Sequence, residues 1–324
     1  MIDFRYHLVS IIAIFMALAV GIVLGAGPLK EDIGATLTAE LTKLRQDKVV
    51  LNDQLAQSRK NVAAGQTYAT ATRSEVLKDR LSGRRVDVVV AAGADEPTVG
   101  AVQSALVDAG ATVPAVVRLD EQWTHPEVSG DLAATVSDLA PTLGLKVDSV
   151  PAEQLPGMVL GRALLTSPAK DGWSRQGPAA QAAPNALSVL RSKGLLSLRG
   201  AAVEPATLVV AVAAPMTRAG TQPTDPQTQA YAGLVQALDL VGEGATLVSP
   251  SRPAEDPDST SAAAVVSAVR NNRAVAAAVT TVDDADLAMG QVATVVGLQG
   301  QLTGEAGRYG IGPDAEAVVP ELTR

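Results

Sequence analysis

Asp283, Asp284 and Asp286 form the densest acidic cluster in the sequence. Carboxylates this close could share a hard cation such as Mg²⁺ or Ca²⁺. At the head of a helix expected over Asp284–Leu302, they read better as caps for its free N–H groups. Histidine occurs only as His7 and His125, and cysteine does not occur. A hydrolytic Ser needs a sharp strand–helix turn and a His base, and no G-x-S-x-G motif is present. Phosphate binding needs a glycine-rich turn between strand and helix. The sequence has neither a Walker loop nor G-x-G-x-x-G. Gly93 is followed by Asp95 and Glu96, which would repel phosphate, and Pro215 follows a second strand-like run without a glycine cluster. No catalytic, cofactor-binding or metal-ligating residue is assigned, and a non-enzymatic protein is expected.

The elements around these residues read as α/β. Val86–Ala92 and Thr207–Ala213 look like the apolar runs of buried parallel strands. Asp95-Glu96-Pro97 opens a helix whose buried face is Val99, Val102, Leu106 and Ala109, and Gly110 stops it. Thr112–Leu119 is expected as an edge strand, because Pro114 cannot donate to a ladder. Further helices are expected over Glu127–Leu139, Leu155–Leu165, Leu187–Leu195, Gln229–Val241 and Ser261–Arg270, and strands over Ala245–Val248 and Ala274–Thr280. Ser167–Pro184 reads as a long loop carrying Trp173, either a buried anchor or a docking residue. The words Val102-Gln103…Gly110-Ala111-Thr112 and Val235-Gln236…Gly244-Ala245-Thr246 stand at matching places. Residues 83–303 are thus expected to form one parallel-sheet, Rossmann-like domain that could divide into half-repeats at 83–150 and 204–303. A turn-rich tail, 304–324, follows.

Aromatic residues make up 2% of the chain, which suits a core of small β-branched side chains and argues against a membrane barrel with aromatic girdles. A net charge of −8 and a pI near 4.9 disfavour nucleic acid as a partner.

Upstream of the domain, Leu8–Gly27 carries no charged side chain. Its length, roughly twenty residues, is what a helix needs to cross a hydrocarbon core. A cleaved signal peptide is the competing reading. The single Arg5 beside Asp3, the long apolar run and Leu24 before Ala26 favour a retained transmembrane helix behind a short tail, residues 1–7. Ala13, Ala17, Gly21 and Gly25 recur every fourth residue, either as a face for close helix approach or as the ordinary composition of an Ala-rich span. Residues 28–82 are expected to form a coiled-coil stalk. With a at Leu41, Lys48, Leu55 and Val62, and d at Leu37, Leu44, Leu51 and Ser58, six of eight seam positions are apolar. Glu40, Lys43, Arg45, Asp47, Asp53 and Arg59 lie off the seam, and Leu77 and Leu81 resume the pattern after a gap. The alternative is a single amphipathic helix folded back on the downstream domain. The expected partner-binding residues are Ala13, Ala17, Gly21, Gly25, Leu37, Leu41, Leu44, Leu51, Leu55 and Val62, meeting either a second copy or another membrane protein. Lys and Arg counts on the two sides of the span do not fix its orientation.

The opening Met1-Ile-Asp-Phe-Arg-Tyr-His-Leu-Val-Ser, the core Ala17-Leu-Ala-Val-Gly-Ile-Val-Leu-Gly-Ala-Gly-Pro and the Leu-rich heptads resemble the mycobacterial copper transport protein B (MctB) family. Gly307-Arg308-Tyr309-Gly310-Ile311-Gly312, with Pro320 following, resembles that family's ending, with Arg308 where His is expected more often. The resemblance implies an actinobacterial cell-envelope protein of copper efflux or homeostasis, its large domain extracytoplasmic. SteB-like members imply instead a scaffold that pairs with a SteA-like membrane protein to regulate wall hydrolysis and cell separation. Cu(I) prefers Cys or Met, and Cu(II) imidazole. Met16, Met158, Met216 and Met289 are scattered, so any effect on copper is expected to be indirect, through an assembly.

Overall fold

The uncharged run that begins at Leu8 lies in helix α1 (Phe4–Ala26), of which Phe4–Gly25 is long and apolar enough to cross a membrane. The whole heptad stretch lies in one further helix, α2 (Pro28–Leu77). The structure is a computed structural model that describes residues 4–26, 28–128, 130–166, 178–199, 204–217, 222, 224–255 and 258–322. The chain divides into two compact units, Met1–Gly65 and Gln66–Arg324. The first consists of α1 and the greater part of α2.

The second unit is a mixed α/β structure. Its strands are β1 (Val86–Val90), β2 (Val116–Leu119), β3 (Leu196–Arg199), β4 (Leu208–Val212), β5 (Met216–Thr217), β6 (Gly244–Val248), β7 (Ser259–Thr260), β8 (Thr280–Val282) and β9 (Arg308–Tyr309). Its helices are α3 (Glu96–Asp108), α4 (Leu132–Leu139), α5 (Leu155–Leu164), α6 (Pro178–Ser192), α7 (Pro226–Val241), α8 (Ala262–Arg270), α9 (Arg273–Ala276) and α10 (Ala288–Gln301). Seven strands make one sheet in the order β3-β2-β1-β4-β6-β8-β9, parallel throughout except for β3, while β5 and β7 form a separate antiparallel ribbon.

Alternating side chains of the central strands feed two cores, one on each face. Val89, Val117, Val209, Ala211 and Leu247 join α4–α8, whereas Val88, Val90, Val210, Val212 and Val282 join α3 and α10. With both faces covered, β1, β4 and β6 are buried along their whole length, the condition under which parallel strands read as unbroken apolar runs. One residue breaks the first run: Asp87, second in β1, is buried and accepts the Ala115 N–H at 3.1 Å.

Several expectations need correction. β2 is not an edge, because it pairs with β1 on one side and β3 on the other, and Pro114 lies just before it. The helix expected from Glu127 begins at Leu132. Residues 178–184 are helical, not loop, and α6 ends at Ser192, after which the chain turns into β3. Trp173 lies outside the described residues. Ala274–Thr280 is not a strand: Asn272 Oδ1 accepts from the N–H groups of Ala274 and Val275 and starts the short α9, so β8 begins only at Thr280. The C-terminal segment is not merely turns, since it supplies β9. Leu77 and Leu81 do not continue the heptads; both are fully buried in the core of the second unit beside α3 and α10. In the repeated words, Gly110 is a turn residue with φ 80°, whereas Gly244 is the first residue of a strand.

Candidate functional site

The predicted partner-binding residues sit on two helices. On α1, the side chains around Ala13 and Ala17 are exposed, and a Cβ added at Gly21 or Gly25 would meet nothing within 4 Å. On α2, Leu37, Leu41, Leu44, Leu51, Leu55 and Val62 are between 47% and 63% exposed. Each leucine left in water forgoes about 1.5–3 kcal/mol of burial free energy. The helix that carries them thus has an apolar stripe with unused adhesive capacity. From Gln66 onward α2 belongs to the second unit. There Arg73 reaches Asp108 at 2.7 Å and Ser104 at 3.1 Å, and Arg80 reaches Gln299 at 3.1 Å.

The acidic trio does not cap α10, which starts at Ala288 with no side-chain cap. Each aspartate has a separate place. Asp283 is buried and paired with the buried Arg270 at 2.6 Å, and its other oxygen accepts from the N–H groups of Ile311 (2.8 Å) and Gly312 (3.0 Å). Arg270 also donates to the Tyr309 carbonyl at 2.6 Å, to Thr281 Oγ1 at 2.9 Å and to Asp314 at 3.2 Å. This knot explains the family-like ending. Gly310 has φ 124°, and a methyl group there would overlap the Asp283 carboxylate, as it would at Gly312. Asp286 takes the Ser251 N–H at 2.7 Å and hydroxyl at 3.1 Å. Asp284 is fully buried with neither oxygen hydrogen-bonded. Burial, then the neighbouring Asp283 and Asp286 charges, push its carboxyl up to about 7, against a smaller opposing pull from Arg270. Among the described residues no three His, Cys, Asp or Glu side chains are placed to hold a metal ion.

In open parallel sheets, ligands bind outside the carboxyl ends of strands where connections diverge to opposite sides. Here that place lies beyond β1 and β4, and a cleft of about 400 Å³ opens there, lined by Gly93, Asp95, Pro215, Pro250, Arg252 and Glu255. It is not built for phosphate. The first turn of α3 already receives a carboxylate, since Asp95 Oδ2 accepts from the Thr98 N–H at 3.0 Å. Glu96 is drawn to Arg118, whose hydrogen bond holds its carboxyl below the usual range. Arg252 stands between Asp95 and Asp286 at 3.7 and 3.6 Å.

A larger apolar cleft, about 560 Å³, is lined by Trp123, Pro126, Leu132, Pro156, Pro226 and Leu234. Trp123 is, with Trp173, one of two tryptophans in the sequence. Its indole N–H donates to the Leu195 carbonyl at 2.7 Å and it is 3% exposed, an anchor between the first turn after β2 and the start of β3. Only its rarity in a chain so poor in aromatics could mark it, since its sequence neighbours Asp120-Glu121-Gln122 and Thr124-His125 are polar. His125 lies beside Thr124, with Nδ1 3.1 Å from Oγ1. Met216 is buried in the core and Met158 packs against it, whereas Met16 is exposed on α1.

The family model described as "Copper transport outer membrane protein, MctB" matches residues 1–320. A Mycobacterium leprae protein named copper transporter MctB is 30% identical over 334 residues, covering 99% of this chain and 100% of its own length. Its namesakes from Mycobacterium tuberculosis and Mycobacterium bovis are 28% identical over 329 residues, covering 98% of this chain and 99% of theirs. With an apolar N-terminal helix, a parallel-dominated α/β unit and a match over nearly its whole length, the chain belongs to the MctB copper transport outer membrane protein family.

Proposed function

We propose that this is a membrane-anchored envelope protein that contributes to copper homeostasis by assembling through its span and a coiled-coil stalk, not by chelating copper itself. The observation that carries this is the exposed stripe Leu37–Leu41–Leu44–Leu51–Leu55–Val62 on a helix preceded by an apolar span. A 3.5-residue apolar repeat in water needs a facing helix to cover it. The α/β unit then serves as the displayed body, extracytoplasmic and non-catalytic. Its parallel strands and divergent connections support a Rossmann-like reading without a nucleotide site. The assembly is tested by copper content in a deletion strain complemented with the wild-type chain or with Leu44→Glu/Leu51→Glu. The wild type restores the copper level and the double variant does not; equal copper in deletion and wild-type strains would overturn the copper role.

A second reading is a SteB-like scaffold whose span and stalk hold a SteA-like membrane partner and regulate cell-wall hydrolysis and cell separation. Charged side chains flanking the seam at Glu40, Arg45, Asp47 and Arg59 support it, because such positions set partner choice. In the same strains, a cell-separation defect with normal copper would favour this second role.

A further inference from the structure

We infer that the partner of the stalk is a second copy of this chain, paired parallel and in register over Leu37–Val62. The pairing rests on the reading of that stretch as a coiled-coil seam, and it adds an occupant, a direction and an alignment.

The charges beside the seam carry the argument. Glu40, Asp47, Gln54 and Asn61 precede the four a positions and so occupy g; Thr38, Arg45, Asn52 and Arg59 follow the d positions and occupy e. In a parallel pair each g residue lies beside the e residue of the next heptad on the facing helix. Two copies of this chain therefore set Glu40 against Arg45 of the other copy, Asp47 against Asn52 and Gln54 against Arg59. No like charges meet among these g–e pairs, and one of them is a full ion pair made twice across the two-fold axis. All the residues involved are exposed on α2 in the single chain.

Lys48 fixes the alignment. It is the one charged residue in the seam, at an a position. In register, both Lys48 ammonium groups share one layer, and each lies next to Asp47 of the facing copy, because g flanks a across a parallel interface. Slipping by one heptad would set one Lys48 against Leu55 and Gln54, with no carboxylate to receive it, while only the other, against Leu41, would meet Glu40. A single polar a residue is a known device for specifying register at a cost in stability.

The anchor fixes the direction. α1 ends at Ala26 and α2 begins at Pro28, so each stalk starts at its own span. Two copies inserted in one membrane with the same orientation must run their stalks the same way, which forbids the antiparallel arrangement.

The chain contains no cysteine, so single cysteines report cleanly. In membranes carrying the full chain, Leu44→Cys and Leu51→Cys should each form a disulfide-linked product of twice the chain mass of 33.1 kDa. Co-expressed L44C and L51C chains should not cross-link to each other, since they lie a heptad apart. Val107→Cys, at an exposed site on α3, should remain monomeric and serves as the collision control. Glu40→Arg or Arg45→Glu, each added to L44C, should lower the yield roughly five-fold by placing like charges together, and co-expression of the two should restore it. A cross-linked product of another mass overturns self-pairing but leaves the seam standing. No product from L44C, L51C or a third variant, Leu55→Cys, removes the seam itself. Equal cross-linking of V107C, or of the L44C–L51C mixture, overturns the registered pair.

Discussion

Asp284 is the residue whose surroundings depart furthest from its chemistry. It is a carboxyl with no exposed surface, no hydrogen-bond partner and two carboxylates within the same turn of chain. Because its folded value lies near 7, above the ordinary 3.8, the folded chain holds this proton more tightly than the unfolded one. The stability conferred by that proton is fully present below the ordinary value and is lost as pH rises through about 7. Asp284→Asn, which keeps the shape without the charge, should match wild type near pH 4 and exceed it above pH 7, by on the order of 4 kcal/mol at most. Thermal melts of the detergent-solubilised chain across that range measure it, and parallel curves at all pH values would contradict it. None of this was legible from the sequence, where three neighbouring aspartates look like one cap. What separates them is tertiary: Arg270 arrives from α8, Ser251 from the turn after β6, and nothing arrives for Asp284.

Helix α2 shows how one element can serve two surroundings. Its leucines look alike in sequence, yet Leu51 is 62% exposed and Leu77 is fully buried beside α3 and α10. Leu77→Ala should therefore lower the unfolding midpoint of the α/β unit, at a cost of about 2–5 kcal/mol, while leaving stalk cross-linking through Leu44→Cys intact. Leu51→Ala should do the reverse. A loss of both properties in either variant would show that the two stretches do not act separately. The elements legible in advance were those with a single dominant signal. β4, β6 and the helices α3, α5 and α8 follow from apolar runs bounded by turn or cap residues, such as Asp95 and Ser261. The stretch Ala274–Thr280 misleads because it is an unbroken run of Ala and Val up to its final Thr, and the deciding signal is the side chain of Asn272 two residues upstream. Pro114 does not mark an edge strand, because the strand starts two residues after it.

At the scale of the whole molecule, net charge and anchorage pull in different directions. A chain of charge −8 is repelled by anionic lipid surfaces, so the apolar α1, and not electrostatics, is its candidate anchor. The full chain should stay with membranes through a high-salt wash and leave only with detergent, and its mass should include the first helix. Release by salt, or a mature chain lacking α1, would contradict a retained anchor. The knot between Arg270, Asp283 and the Gly310–Gly312 backbone ties the end of α8 and the end of β8 to β9, the last strand to be made. Until β9 has left the ribosome, Arg270 lacks the Tyr309 carbonyl and Asp283 lacks its two N–H donors, so the far edge of the sheet stays open. A nascent chain of this kind cannot lock that side of its body before nearly all of it has been made, so the last residues to emerge decide when folding can finish.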